Sequence, residues 1–278
     1  MKIWAYVTIW NEELMLEYYL RYYSKFCDRI VFFDNESTDN SKEIIKSYPN
    51  TEIRTFSTGG VLNDATHIKL KSEAIKEAKG NCDYVIISDC DEFIYHPNLI
   101  NFLQEHLNKT SIFYPAGFQM VSEEFYINKN QIYDNFKIGT PDPWYSKPIL
   151  LNPNMVKDFN WVEGCHEIDK RTSLYKGGIY HPLKNDIHGP SSTGNPWGAF
   201  ERLFKNLDVF ESEPLKLLHY KYLGREYVYQ RYIQYINRIG EDNSTNDLGS
   251  HYARSIENNT ISLEINKLLN SSIKLNLK

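Results

Sequence analysis

Tyr84-Val85-Ile86-Ile87-Ser88-Asp89-Cys90-Asp91-Glu92-Phe93 is an apolar run that ends in three carboxylates. A short continuous apolar run between Asp83 and Asp89 is what a strand buried on both faces looks like, as at the centre of a parallel sheet. Open parallel sheets bind ligands beyond the carboxyl ends of their strands, so these acids stand where a ligand would sit. Two carboxylates one residue apart at the mouth of a buried strand can converge on a hard divalent cation, Mn2+ or Mg2+. Phosphate oxygens and water would fill its other positions. Taken alone, Asp89 and Asp91 could equally form a turn or cap the helix expected near Pro97.

The flanking sequence decides between these readings. Ile3 to Ile9 reads as a buried strand, followed by a helix to about Phe26 capped by Asn11, with Leu16, Tyr19, Leu20 and Tyr23 on its apolar face. Ile30 to Phe33 is a second strand, and Asn40 with Glu43 resembles a capping box for a helix through Tyr48. Thr51 to Phe56 reads as a third strand, Asn63 to Lys79 as a helix stopped by Gly80, and Pro97 to Leu107 as another helix. Strand alternating with helix is the pattern of a parallel sheet with crossover helices. The first strand exits at Asn11-Glu12, the second at Asp34-Asn35 and the Tyr84 run at Asp89 and Asp91, so three strands deliver acids or amides to one sheet edge.

Beyond Ser111 the pattern shifts to short strand-like pieces, Ile112 to Phe118, Gln131 to Phe136 and Pro148 to Leu151, separated by turn residues. Helical periodicity returns at Trp197 to Phe210 and Glu226 to Ile239, with Leu215 to Tyr220 as a strand between them. After Glu241 a polar loop precedes a terminal helix containing Ile261, Leu263, Ile265, Leu268 and Leu269. The expected organisation is an α/β domain over residues 1–240, divided into a ligand-binding half at 1–110 and a second half at 111–240, with a helical extension at 241–278.

The chain has 278 residues, a formal net charge of −5 and four cysteines without a C-x-x-C pair. The acidic balance argues against a nucleic-acid partner. The isolated cysteines fit a reducing compartment. Met1 is followed almost at once by a strand-like run, with no basic leader and no span long enough to cross a bilayer, so a cytoplasmic location is expected.

Asn11-Glu12, Asp34-Asn35-Glu36-Ser37-Thr38-Asp39 and Asp89-Cys90-Asp91-Glu92-Phe93, in that order, resemble the family 2 glycosyltransferases, in the branch whose motifs read N-E, D-N-x-S-x-D and D-x-D-E-F. The likeness continues through Lys147-Pro148-Ile149, Gly164-Cys165-His166 and His219-Tyr220. It implies a GT-A fold with a Rossmann-like, mostly parallel central sheet and flanking helices, a loop-rich acceptor half and C-terminal helices. It also implies metal-dependent, inverting transfer of a sugar from a UDP- or GDP-linked donor to a glycan or lipid-linked acceptor, such as in capsule or lipopolysaccharide synthesis. Peripheral association with the inner face of the membrane is compatible with that role. By resemblance, Asn11, Glu12, Asp34, Asn35, Asp89 and Lys147 bind the nucleotide sugar, and Asp89, Asp91 and His219 hold the metal. A histidine beside a tyrosine is equally at home as a hydrogen-bonded core residue.

This chain departs from the branch at two places. Where the helix after the His-Tyr pair often begins Lys-Ser, the chain has Leu223-Gly224, which passes any phosphate contact to Lys221 or Arg225. The helix before the acidic strand offers Asn63, His67 and Lys71 in place of the expected Gln or Arg. An inverting enzyme needs a general base near the acceptor hydroxyl. Glu163, His166 and Glu167 are the candidates, with Asp142, Asp186, Glu123 and Glu124 in reserve. The stretch from His181 to Trp197 has the composition of a loop that closes over a ligand. A haloacid-dehalogenase-like phosphatase also uses D-x-D, but after its first strand. A non-catalytic carbohydrate-binding protein would not need the acidic strand exits.

Overall fold

The computed structural model of the chain describes residues 1–159, 161, 173, 174, 176–180, 212–239 and 249–277. In chain order it runs β1 (Ile3–Ile9), α1 (Glu13–Tyr23), β2 (Arg29–Asp34), α2 (Ser41–Lys46), β3 (Thr51–Thr55), α3 (Asp64–Ala78), β4 (Tyr84–Asp89), β5 (Glu92–Tyr95) and α4 (Leu99–His106). There follow β6 (Thr110–Phe113), β7 (Ala116–Ser122), α5 (Ile132–Asn135), β8 (Ile138–Pro141), β9 (Leu150–Leu151), β10 (Val156–Asp158), β11 (Ser173–Leu174) and β12 (Gly178–Tyr180). The described part closes with β13 (Lys216–Leu223), α6 (Arg225–Ile236), α7 (Ser250–Glu257), α8 (Ile261–Ser271) and β14 (Ile273–Lys274). No helix among the described residues is long and apolar enough to cross a membrane.

Two sheets carry the site. The larger has the order β12-β6-β9-β4-β1-β2-β3, and β4, β1, β2 and β3 are parallel neighbours, as the alternating strand and helix pattern requires. The smaller has the order β14-β8-β7-β13-β5. The acidic run connects them: β4 ends at Asp89 in the first sheet, and β5 begins at Glu92 in the second, antiparallel to β13 with His219 opposite Glu92. The fold is therefore the mixed α/β architecture expected, with a mostly parallel central sheet and flanking helices.

Tyrosines fasten that crossing. Phe93 is fully buried, with the rings of Tyr19, Tyr22, Tyr23 and Tyr220 centred 5.3 to 5.8 Å from its own. Three phenols of α1 reach polar partners at the crossing. Tyr19 pairs with Ser88 Oγ at 2.8 Å, Tyr22 donates to the Ile94 carbonyl at 2.6 Å, and Tyr23 donates to the Glu92 carbonyl at 2.9 Å. Buried tyrosine supplies apolar area and a hydrogen-bonding tip together, which suits a layer where two sheets meet.

Several sequence expectations need correction. Ile112 to Phe118 is two strands in different sheets, because the chain breaks at Tyr114-Pro115 and proline lacks the N–H that a continuous ladder needs. Gln131 to Phe136 is the short helix α5 instead of a strand; its buried residues, Ile132 and Phe136, are four apart, which is helical spacing. The Asn40-Glu43 capping box does not form. Asp39 Oδ1 accepts from the Ser41 N–H at 3.0 Å, while Asn40 donates to Glu13 Oε2. Asn11 does not cap α1 either, as described below. The C-terminal segment is more than a helical extension, since α8 packs on β7 and β8 and β14 pairs with β8. The helix expected over Trp197 to Phe210 and the loop from His181 to Trp197 lie outside the described residues.

Candidate active site

The exits of β1 and β2 are tied together before they can serve a ligand. Asn11 adopts a left-handed φ of 51°, and its Oδ1 accepts from the Thr38 N–H at 2.8 Å, while Ser37 Oγ accepts from the Asn11 N–H at 3.0 Å. Asp34 is fully buried; its Oδ1 accepts from the Ser37 N–H at 3.0 Å and its Oδ2 lies 3.4 Å from Lys42 Nζ. These two residues, expected at the nucleoside, brace the loop that shapes the sheet edge, and Asn11 also lines a cavity with Glu12. Asn35 and Glu12, by contrast, line a cavity of about 580 Å³ beyond the strand exits, together with Asp89, Asp91, Lys147 and His219.

At the mouth of β4, Asp89 Oδ1 accepts from Lys71 Nζ at 2.9 Å and Thr8 Oγ1 at 3.0 Å. Burial acts to raise its pKa, but Lys71 and Lys147 outweigh it and hold the carboxyl well below the usual range. Glu92 turns back: its Oε2 accepts from the Asp89 N–H at 3.0 Å, and its Oε1 takes a 2.6 Å bond from Lys147 Nζ. Lys147, expected at the nucleotide sugar, is thus engaged in a buried ion pair at the cavity wall. Burial works against its charge, but Glu92 and Asp89 raise its pKa above the ordinary lysine value.

Asp91 is oriented differently. Its backbone carbonyl accepts from the Tyr220 N–H at 2.8 Å, and its Oδ2 lies 3.6 Å from His219 Nε2. His219 Nδ1 lies 2.9 Å from Gln119 Oε1, and the Gln119 amide nitrogen lies 3.4 Å from Asp142 Oδ2. The amide oxygen therefore faces the imidazole, so Nδ1 carries the proton. Burial, partly opposed by the Asp91 charge, pushes the His219 pKa down to about 3 and keeps the ring neutral. Its Nε2 then presents a lone pair beside a carboxylate oxygen. Such a pair has the chemistry of two ligands to one cation, with Gln119 fixing the tautomer. The Tyr145 ring stacks on the imidazole at 4.3 Å and 18°. Gly117 makes this stacking possible, because a Cβ there would come 2.3 Å from the Tyr145 backbone.

The structure brings Asp91 and His219 together and leaves Asp89 Oδ1 with Lys71 and Thr8. No group of three or more His, Cys, Asp or Glu side chains poised to hold a metal occurs among the described residues. Two protein ligands with water and phosphate oxygens completing the shell fit Mg2+ or Mn2+ chemistry.

Arg231 of α6 was not legible as a site residue. It pairs with Glu12 Oε2 through Nη1, donates to Tyr235 through Nη2, and its Nη1 lies 3.3 Å from the Tyr227 hydroxyl. Nη2 lies 3.8 Å from Asp91 Oδ2. Tyr227, Arg231 and Tyr235 recur every four residues on one helix face, which is the one sequence signal that could have found them. Burial, opposed by Arg231, pushes the Glu12 pKa up to about 7. Glu12 and Arg231 also line a second cavity of about 670 Å³ with Glu123, Glu124 and Arg225, so this ion pair is a shared wall. Lys221, expected at a phosphate, does line the acid-bearing cavity, and Arg225 lines the other and donates to Asn266 at 2.9 Å.

At the β2 and β3 side of the cavity, the Arg238 guanidinium stacks 3.9 Å from the Trp10 ring centroid and donates through Nε to the Gly60 carbonyl at 3.2 Å. Its Nη2 and His67 Nε2 are buried without a hydrogen-bond partner among the described residues. Both side chains line the cavity. Glu163, His166 and Glu167, the expected general bases, lie outside the described residues, as does Asp186. Of the reserves, Asp142 accepts from the Trp144 N–H at 3.1 Å, and Glu123 and Glu124 face the second cavity.

A family model described as Glycosyl transferase family 2 matches residues 5–162, more than half of the chain. No curated protein sequence matches it. Among solved structures, glucosyl-3-phosphoglycerate synthase from Mycobacterium tuberculosis, in complex with Mn2+, uridine diphosphate and glucosyl-3-phosphoglycerate, is similar over 42% of this chain and 44% of its own. The identity is 17% and the TM-score 0.29. The 4-diphosphocytidyl-2C-methyl-D-erythritol synthase from Anaerococcus prevotii is similar over 55% of this chain and 70% of its own, with 18% identity and a TM-score of 0.32. The chain thus spans less than half the length of the synthase from Mycobacterium tuberculosis.

Proposed function

Because the chain belongs to glycosyl transferase family 2, we propose that it transfers a sugar from a nucleoside-diphosphate sugar to a glycan or lipid-linked acceptor, inverting the anomeric carbon, in cell-surface polysaccharide synthesis such as that of capsule or lipopolysaccharide. The observation that carries this reading is the Asp91 and His219 pair, 3.6 Å apart on a cavity at the strand exits, with the imidazole held neutral and its lone pair turned to the carboxylate. These two side chains would hold Mn2+ or Mg2+. When bound, the cation would offset the negative charge that develops on the diphosphate leaving group.

The chain's own residues divide the remaining work. Asp89, held ionised by Lys71, stands at the mouth of the first sheet and lines the same cavity as Asn35, where an acceptor for ribose hydroxyls is needed. At the β2 and β3 side of the cavity, the orphaned Nη2 of Arg238 is a donor with no acceptor capacity, and a carbonyl oxygen is its natural complement. Uracil and guanine carry such oxygens and adenine does not, which supports a UDP- or GDP-linked donor. The general base is assigned to Glu163, His166 or Glu167.

The test is thermal denaturation with UDP, GDP and ADP, with and without Mn2+. A ligand at a hundred times its dissociation constant stabilises by about 2.7 kcal/mol, or roughly 5 to 10 °C for a chain of this size. Manganese-dependent stabilisation by UDP or GDP that disappears in Asp91→Ala is expected. If no nucleoside diphosphate stabilises the protein in the presence of Mn2+, the donor site is refuted and a carbohydrate-binding role without catalysis gains ground.

A further inference from the structure

Asp91 Oδ2 has two neighbours of opposite consequence. On one side His219 Nε2, 3.6 Å away, offers a lone pair; on the other Arg231 Nη2, 3.8 Å away, offers positive charge. The other acids near the motif already have cationic partners: Asp89 has Lys71, Glu92 has Lys147 and Glu12 has Arg231. Arg231 cannot withdraw from Asp91, because Glu12, Tyr227 and Tyr235 hold the guanidinium from its other sides and the side chain is largely buried. A divalent cation arriving at Asp91 and His219 therefore meets a fixed like charge in a site of low dielectric, which opposes its binding. A diphosphate arriving with that cation meets two positive groups, and guanidinium is a strong, geometrically matched donor to phosphate oxygens.

We propose that Arg231 makes cation binding conditional on the diphosphate. It opposes the bare cation and clamps the diphosphate that accompanies it, so the two ligands bind cooperatively. This rests on the donor-site reading above. Coupling of this kind is reciprocal, since whatever factor the diphosphate adds to cation affinity, the cation adds to diphosphate affinity. It also gives Arg231 a signature that a purely structural residue lacks, because its removal should move two affinities in opposite directions.

The experiment compares the binding of Mn2+ alone with that of a preformed 1:1 manganese–pyrophosphate complex, by calorimetry, in the wild-type chain and in Arg231→Met. The wild type should bind the complex at least about tenfold more tightly than bare Mn2+. In Arg231→Met, bare Mn2+ should bind more tightly than in the wild type, and the complex about tenfold more weakly. If both affinities fall together, or neither changes, the proposal is overturned while the donor site stands. If the wild type binds neither probe, the donor-site reading falls and takes this one with it. Should the single variant fail to fold because Glu12 loses its partner, Glu12→Gln combined with Arg231→Met removes the orphaned charge and is read by the same two affinities.

Discussion

Gln119→Met is the substitution that most sharply tests how the site is assembled. Gln119 is buried, stands opposite His219 in the β7–β13 register, and its side-chain oxygen lies 2.9 Å from His219 Nδ1. Methionine has a similar length and no comparable acceptor. Two responses are open to His219 in the variant. It keeps its tautomer with a buried unsatisfied Nδ1–H, at a cost of about 1 to 3 kcal/mol, or it moves the proton to Nε2, which then points at Asp91 and can no longer ligate. Either way, cation affinity falls. Loss of such an orienting partner typically weakens metal binding 10- to 100-fold, or about 1.4 to 2.7 kcal/mol. Gln119→Glu combined with Asp142→Asn keeps an acceptor oxygen on Nδ1 and restores a donor between the two side chains, and should retain most of the affinity. The assay is a Mn2+ titration followed by the electron paramagnetic resonance of the free ion, with urea unfolding of the metal-free variants alongside. Mn2+ affinity within twofold of wild type in Gln119→Met would refute the assignment of His219 as a ligand oriented by Gln119.

Three further outcomes follow from the packing and charge of the fold. Phe93→Ala, which empties the centre of the tyrosine cluster joining α1 to β5, should cost about 3 to 5 kcal/mol in urea unfolding. A loss below 1 kcal/mol would mean that the cluster does not fasten the crossing. Lys147→Met leaves Glu92 buried without its cation and should cost roughly 3 to 5 kcal/mol, much of it recovered by adding Glu92→Leu; equal stability of the single and double variants would argue against this ion pair. Burial pushes the His67 pKa down to about 4, so the folded state binds fewer protons than the unfolded one between about pH 6.5 and pH 4. The stability that neutral His67 confers is present above pH 6.5 and is lost as the pH falls to 4, by up to about 3 kcal/mol. Glu12, with its raised pKa, works in the opposite direction, so the effect is read as the difference between wild type and His67→Gln across that range. A pH-independent difference would count against a buried, neutral His67.

The parallel half of the fold was legible because its strands are continuous apolar runs and its exits are polar, a pattern set by burial alone. The acidic motif was legible for the same reason. What the motif does next was hidden. Residues 92–95 enter a second sheet because Lys216 to His219 pair with them more than a hundred positions later, and no local periodicity announces such a partner. Asn11 and Asp34 illustrate a related limit. Both stand at strand exits, as expected, but whether a polar side chain faces the ligand or the adjacent loop depends on neighbours such as Ser37, Thr38 and Lys42. His219 was identified with the cation through family likeness. The physical reason to believe it, the fixed tautomer, depends on Gln119, a hundred residues earlier.

The crossing from β4 to β5 also constrains how the motif can vary in length. Asp89 and Glu92 are the last and first residues of strands in different sheets, joined through the Asp89 N–H to Glu92 contact, and the register of β5 against β13 begins at the Glu92 and His219 pair. Strand side chains alternate faces, so inserting one residue after Asp91 would turn Phe93 away from the tyrosine cluster and set another side chain opposite His219. Deleting Cys90 would shorten a span that already links the two sheets with two residues. The number of positions between the two aspartates is therefore fixed by the distance between sheets as firmly as by anything a ligand requires. Homologues that change the chemistry of the site should substitute within these four positions and place their insertions elsewhere.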